Sequence, residues 1–358
     1  MHTDKEKYEA FHTWKEIVSQ GEAWRAVLEE LARDEIADEF LNASSEAQRC
    51  IFVGCGTSYY LAEAAARSWA TLTGRPAHPI PASEVLLFPN LLLSEAKALC
   101  AIAISRSGQT SETVRAARIL RQELRIPTFG ISCARGSDLE KTCERTIVLS
   151  HCDETSTVMT KSFTGMLLAL QFLAACFANN LQFVADLRTM ADRFSLRISA
   201  LGDLLEEFTR RSNFDNFVFL GQGAFYGIAR EASLKLVEMS CSCSQFFHTL
   251  EFRHGPKAIV SPKACVTFFL GESTRDVEVE VLQEVKEAGG TTVAICNRTS
   301  KGVSEAADLV IEMKADVPEL ALLVPYTVPG QFGGFFQGVR KGLNPDEPRN
   351  LSRVVILD

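Results

Sequence analysis

Four segments of this 358-residue chain carry side chains able to do chemistry. In Ser105-Arg106-Ser107-Gly108-Gln109-Thr110-Ser111, hydroxyls crowd a turn between the apolar run Ala101–Ile104 and a helical pattern over Glu112–Leu124. Hydroxyls and backbone N–H groups at the positive end of a helix make a phosphate site. The same residues also suit a plain N-cap, with Thr110 or Ser111 ahead of Glu112, and composition leaves both open. No GxxxxGK[ST] loop occurs. Glu231, Lys235 and Glu238 are spaced four and three apart and share a helix face. Spacing alone favours a surface salt-bridge ladder. In a cleft, a carboxylate beside a lysine would suit abstraction of a proton next to a carbonyl. His254, between Arg253 and Gly255-Pro256, stands out among six histidines, although a lone histidine is more often structural. Gly54-Cys55-Gly56-Thr57-Ser58 is a glycine turn with two hydroxyls, and tight turns need glycine on steric grounds alone. Cys55 has no His or Asn nearby to make it a nucleophile.

These segments sit in a repeating frame. The first forty residues read as helix, with Ile17, Trp24, Val27, Leu28 and Leu31 at helical spacing. Strands are predicted at Cys50–Val53, Ala101–Ile104, Thr128–Ser132 and Thr146–Leu149, with helices at Tyr60–Ala70 and Glu112–Leu124. The order returns with strands Phe217–Leu220, Val266–Leu270, Thr292–Cys296 and Leu309–Ile311, and helices Ala224–Met239 and Asp276–Ala288. The copies lie roughly 165 residues apart, which means a duplicated domain, since solenoid repeats are ~20–50 residues. Apolar strands alternating with helices predict two doubly wound α/β lobes, each a parallel sheet covered on both faces. A helical stretch over Thr160–Glu207 is expected to join them. The expected boundaries are an N-terminal helical segment 1–40, a first lobe 41–185, a second lobe 186–340 and a tail 341–358. Ligands of such folds sit beyond the carboxyl ends of the strands, where the glycine turns are.

Composition narrows the function. A net charge of −8 argues against nucleic-acid binding, which needs a basic surface, but allows one small phosphate. Eleven cysteines with no CxxC pair, Cys241 and Cys243 being the nearest approach, read as reduced thiols in a cytoplasmic protein without a metal site. The polar segment Met1–Glu9 predicts no signal peptide. The apolar stretch Gly165–Phe177, broken by Gln171, is too short to span a bilayer.

Taken together, GCGTS, SRSGQTSET, REASLKLVEMS, FRHGPKAIV and PRNLSRVV resemble, in order and spacing, the motifs of the sugar isomerase (SIS) family over roughly residues 15–358. The similarity is to the isomerase half of glucosamine-6-phosphate synthase and to the tagatose-/galactosamine-6-phosphate isomerase–deaminase group. It implies flavodoxin-like lobes with the C-terminal tail over the site. It implies that Ser105, Ser107 and Thr110, with the backbone near Arg106, hold a sugar phosphate, and that Thr57 and Ser58 bind sugar hydroxyls. Glu238 becomes the base between C-2 and C-1, with Lys235 beside it. His254 assists ring opening from the neighbouring subunit of a homodimer. The run ETSTVMTKSF from Glu154, including Thr157, is similar to a sugar-contacting loop of the isomerase–deaminase group. Two departures stand out. The synthase's glutaminase domain has no counterpart in these residues, so ammonia is not expected to be drawn from glutamine. Where the synthase has a tail lysine this chain has Arg353, which stays protonated and is a poor Schiff-base former; it is expected to position a substrate oxygen instead.

The expected activity is therefore an amino-hexose 6-phosphate isomerase or deaminase working through an enediol or enolamine, with no metal or organic cofactor. The alternatives are a fructosamine 6-phosphate deglycase using the same base, and a non-catalytic sugar-phosphate sensor. Lys235, Glu238 and His254 speak against the sensor, because a sensor has no need of a base.

Overall fold

A computed structural model describes residues 7–33, 35–90, 98–211 and 213–357. Most of the polar N-terminal segment Met1–Glu9, read above as lacking a leader, lies outside them. The chain folds as two units. The first lobe comprises the described residues of Ser19–Asp192 and Ser352–Asp358, and the second those of Met1–Val18 and Arg193–Leu351.

The first lobe is built on β1 (Arg49–Gly54), β2 (Ala77–Pro81), β3 (Leu99–Ile104), β4 (Thr128–Ser132) and β5 (Thr146–Val148). The second repeats it with β6 (Asn216–Gly221), β7 (Cys243–His248), β8 (Ala264–Phe269), β9 (Thr291–Cys296) and β10 (Leu309–Glu312). Both sheets are wholly parallel, in the orders β2-β1-β3-β4-β5 and β7-β6-β8-β9-β10. Relative to chain order these are the same doubly wound arrangement, whose switch point falls between β1 and β3 and between β6 and β8. The central strands β3 and β8 are buried at every residue, as a sheet covered on both faces requires.

Two strands have no apolar run to announce them. β2 is AHPIP, with prolines at 79 and 81, and β7 is CSQFFH. Both are sheet edges, where one side needs no ladder partner and proline and polar residues are tolerated. The expected long helix over Thr160–Glu207 is three helices, Lys161–Phe177, Leu181–Ser195 and Ile198–Arg211. The first break falls at Asn179, which holds φ +51; asparagine tolerates that left-handed conformation better than most residues.

One helix with no counterpart in the sequence reading, Leu323–Arg340, is nearly all buried. Its Gly330, Gly334 and Gly338 are four apart and so line one face, against helix Phe225–Ser240. A Cβ on Gly330 would stand 2.5 Å from the Ala232 Cβ, and one on Gly334 would stand 2.7 Å from the Lys235 carbonyl oxygen. One on Gly338 would overlap the Met239 carbonyl. The backbones thus meet directly, and the glycine ridge sets the position of the helix that carries Lys235 and Glu238.

Candidate functional site

In the first lobe, the turns after β1 and β3 end neighbouring strands, so their hydroxyls come up side by side at the carboxyl edge of the sheet. Thr57 and Ser58 are the first residues of helix Thr57–Thr73, and both are buried. Gly54 is required there, because a Cβ on it would meet the Ser58 carbonyl carbon at 2.7 Å. Ser105 is buried, whereas Ser107 and Thr110 keep partial exposure. The Ser105 hydroxyl accepts from the Gly108 N–H at 3.1 Å and donates to Thr110 Oγ1 at 3.4 Å; Ser107 Oγ accepts from the Gln109 N–H at 3.2 Å. Gly108 holds φ +61, and a Cβ on it would overlap the Ser137 side chain. Gly108→Ala is therefore expected to distort the loop, at a backbone cost of about 1–3 kcal/mol. Phosphosugar affinity measured by calorimetry should fall about five- to hundredfold, taking 1.4 kcal/mol per decade.

The Arg106 side chain is engaged elsewhere in its lobe, which leaves the expectation for its backbone untouched. Its guanidinium is buried and donates to the carbonyls of Thr157 at 2.9 Å, Val158 at 3.1 Å, Ser156 at 3.4 Å and Arg353 at 3.1 Å. Glu154, also buried, lies 3.8 Å from it and accepts from the Thr160 N–H and hydroxyl at 2.6 Å each, and from Ser162. Arg106 and Glu154 thereby clamp the 154–160 loop, Thr157 included, beside the hydroxyl turns. Sequence reasoning missed Glu154 as an anchor. An acidic pair, Asp153-Glu154, opening a Ser/Thr-rich run is the signal that could have found it.

The tail is tied down on the same lobe. The Ser111 N–H donates to the Val355 carbonyl at 3.2 Å, the Leu357 N–H to Ser111 Oγ at 3.0 Å, and Arg115 to the Leu357 carbonyl at 3.0 Å. The Arg353 guanidinium pairs with Asp153 at 2.6 Å. Cys55 is a poor nucleophile here: burial raises its thiol pKa, and its sulfur sits 3.5 Å from Thr113 Oγ1.

In the second lobe, the face shared by Glu231, Lys235 and Glu238 lies inside the protein, so the surface ladder favoured by spacing is replaced by a buried cluster. The Lys235 ammonium has no exposed side-chain surface and lies 2.5 Å from Glu238 and 3.4 Å from Glu231. Glu231 is fully enclosed, while Glu238 keeps 17% of its side chain exposed. A buried ammonium is stable only against such countercharge, and Glu238 is the member of the set that a reactant can reach. His254 is exposed, in a turn held by Gly255 at φ +116 and Pro256, well apart in sequence from the helix cluster. The second lobe's counterpart of the Ser105–Ser111 turn carries its own anion: Glu319 accepts from the Glu272 N–H at 2.6 Å, the Ser273 N–H at 3.2 Å and the Ser273 hydroxyl at 2.7 Å. Among the described residues no cluster of His, Cys, Asp and Glu could hold a metal, and no helix is long and apolar enough to cross a membrane.

A tandem pair of doubly wound lobes, one with an open hydroxyl turn and the other with a buried ammonium between carboxylates, defines a duplicated α/β protein built around the ends of its sheets. The SIS domain model matches residues 45–176 and 212–330, and the chain belongs to that family. It is 27% identical to the glutamine–fructose-6-phosphate aminotransferase (isomerizing) of Chlamydia trachomatis over 99% of this chain and 60% of that protein. It is 28% identical to the Bacteroides thetaiotaomicron enzyme of the same name over 87% of this chain and 52% of that protein, so it spans little more than half the length of these relatives. The structure of glucosamine-6-phosphate deaminase from Thermotoga maritima aligns with TM-score 0.80 and 28% identity, over 97% of this chain and all of that one. Tagatose-6-phosphate ketose/aldose isomerase from Escherichia coli aligns with TM-score 0.86 over 97% of this chain and 96% of that one, at 24% identity, a likeness of fold.

Proposed function

We propose that the chain is a phosphosugar enzyme that moves a proton between C-2 and C-1 of a hexose 6-phosphate or amino-hexose 6-phosphate. The observation that carries this reading is the buried Lys235 with Glu238, its partly exposed carboxylate neighbour. Glu238 takes the C-2 proton. The C–H electrons form the C-1–C-2 double bond of an enediol or enolamine while the carbonyl oxygen gains a proton; Glu238 then gives its proton to C-1 as the C-2 hydroxyl or amine loses one and forms the new double bond to C-2. Lys235 holds the carboxylate in place. Ser105, Ser107 and Thr110 hold the phosphate, Thr57 and Ser58 the sugar hydroxyls, and the Arg106–Glu154 clamp sets the 154–160 loop. His254 opens the ring, supplied by the neighbouring subunit of a homodimer. The setting is the cytoplasm, and the partner is the small phosphosugar.

Deamination is the favoured version. It is supported by the match across the whole length of the glucosamine-6-phosphate deaminase of Thermotoga maritima. Proton transfer to C-1 then leaves an imine at C-2, which water hydrolyses to a ketose phosphate and ammonia. The Arg353 guanidinium is engaged with Asp153, which fits a reaction without a tail Schiff base. Glucosamine, galactosamine and fructosamine 6-phosphates offered in parallel test this. Ammonia from an amino-hexose phosphate supports deamination. Release of an amino acid from a fructosamine phosphate would move the assignment to deglycation, and tight binding without turnover would make the protein a sensor. Ser107→Ala should weaken phosphosugar binding about tenfold, in keeping with loss of a hydrogen bond to a charged group. Unchanged affinity by calorimetry would count against the phosphate turn.

A further inference from the structure

The duplicated lobes allow the same niche to be compared twice. In each, a helix preceding the sheet and a long helix after it cover the same sheet positions. In the first lobe Phe40 lies edge-on to Phe129 at 4.7 Å, and the space left is about 10 Å³. In the second lobe the equivalent void is about 60 Å³. Strand registers explain why. Ile102 faces Phe129 across β3–β4, and at the same register Thr267 faces Val293 across β8–β9. The neighbouring pair is unchanged, Ile131 with Ile147 and Ile295 with Ile311. Leu205 stands one repeat length after Phe40, on the covering helix Ile198–Arg211. Smaller residues at three matched positions thus open a void that the fold itself does not demand.

A second observation marks it as more than loose packing. Gln337 lines the void with only 3% of its surface exposed, and its side-chain Nε2 has no hydrogen-bond partner. A buried amide N–H without an acceptor costs about 1–3 kcal/mol. The remaining lining is chiefly apolar, with the Thr209 and Thr267 side chains as its other hydroxyl groups, so a water on Gln337 would need them to reach the two to four hydrogen bonds a buried water ordinarily makes. Phe208, Phe214 and Gly333 at the rim are partly exposed, which gives the void a mouth.

We propose that this void is a second ligand site, separate from the phosphosugar machinery, for a short apolar molecule or apolar end group carrying one hydrogen-bond acceptor such as a ketone or ether oxygen. The hydrocarbon part fills the space between β8, β9 and the covering helices, and the oxygen accepts from Gln337. Leu236, next to Lys235, also lines the void, so occupancy touches the helix that carries the ammonium–carboxylate cluster.

Two probes test it on the full chain: xenon, which reports dry volume alone, and butan-2-one, which adds one acceptor. Both are expected to bind in the void, located by crystallography after soaking and quantified by NMR titration. Gln337→Leu should weaken the ketone about fivefold, the worth of one neutral hydrogen bond, and leave xenon unaffected. Val293→Phe and, separately, Thr267→Ile restore first-lobe residues and should remove both probes while phosphosugar turnover is retained. Absence of both probes from the wild-type void overturns the proposal. So does an ordered water on Gln337 that the ketone fails to displace, or binding undiminished in both filled variants.

Discussion

Glu238→Gln is expected to lower kcat by about 10³-fold, within the range for removing a positioned general base, and to leave phosphosugar affinity within a factor of about three. The fold should survive. Lys235 keeps Glu231 at 3.4 Å as countercharge, and the glutamine oxygen can still accept from the ammonium 2.5 Å away. What is lost is the ability to take a proton from carbon. A thousandfold loss corresponds to about 4 kcal/mol of barrier at 1.36 kcal/mol per decade. Steady-state kinetics paired with calorimetric binding check it. Full activity in the variant would remove Glu238 from the role of base, whereas loss of binding along with turnover would mean that the carboxylate holds substrate.

The second large effect lies away from the reacting groups. Gly334→Val should destabilise the second lobe by about 3 kcal/mol, at the upper end of overpacking costs. Replacing glycine within a helix ordinarily gains a few tenths of a kcal/mol of propensity. Here any side chain meets the Lys235 carbonyl carbon and oxygen at 2.9 and 2.7 Å, and backbone cannot swing aside as a side chain would. Overpacking therefore outweighs propensity. Melting of a domain this size should fall by roughly 6–12 °C, at 2–4 °C per kcal/mol. Turnover should fall further than the folded fraction accounts for, since helix Phe225–Ser240 must move with Lys235 and Glu238. Gly333→Ala, with nothing within 4 Å of the added Cβ, is the control, expected to hold or raise the melting temperature through helix propensity.

The sequence disclosed what periodicity encodes. Eight of the ten strands among the described residues were legible: the six central ones are buried on both faces and read as unbroken apolar runs, and the edge strands β5 and β10 are also written as short apolar stretches. β2 and β7 were not, since an edge strand can be written with prolines, serine and glutamine. The duplication was legible from spacing, and the common strand order followed from it. At the site, spacing put Glu231, Lys235 and Glu238 on one face but carried no information on whether that face looked outward. Burial depends on helix Leu323–Arg340, whose ridge Gly330-x₃-Gly334-x₃-Gly338 was present in the sequence as a packing signal and went unread. Arg106 shows the opposite limit. Its place in the turn suggested that its backbone lies near a phosphate, and gave no sign that its long side chain reaches four carbonyls, three of them about fifty residues on and the fourth in the tail. Contacts of that sequence separation leave no periodic trace.

The most direct test of the account is solvent exchange at carbon. Glucosamine 6-phosphate and fructose 6-phosphate are incubated with the purified chain in heavy water, and deuterium at C-1 and C-2 is followed by NMR, with Glu238→Gln as control. The account predicts deuterium incorporation by the wild type that falls about 10³-fold in the variant, accompanied by ammonia from the amino sugar. Saturable binding of both sugars with no deuterium incorporated by the wild type would contradict it, because a bound phosphosugar whose C–H bonds never open is the behaviour of a sensor.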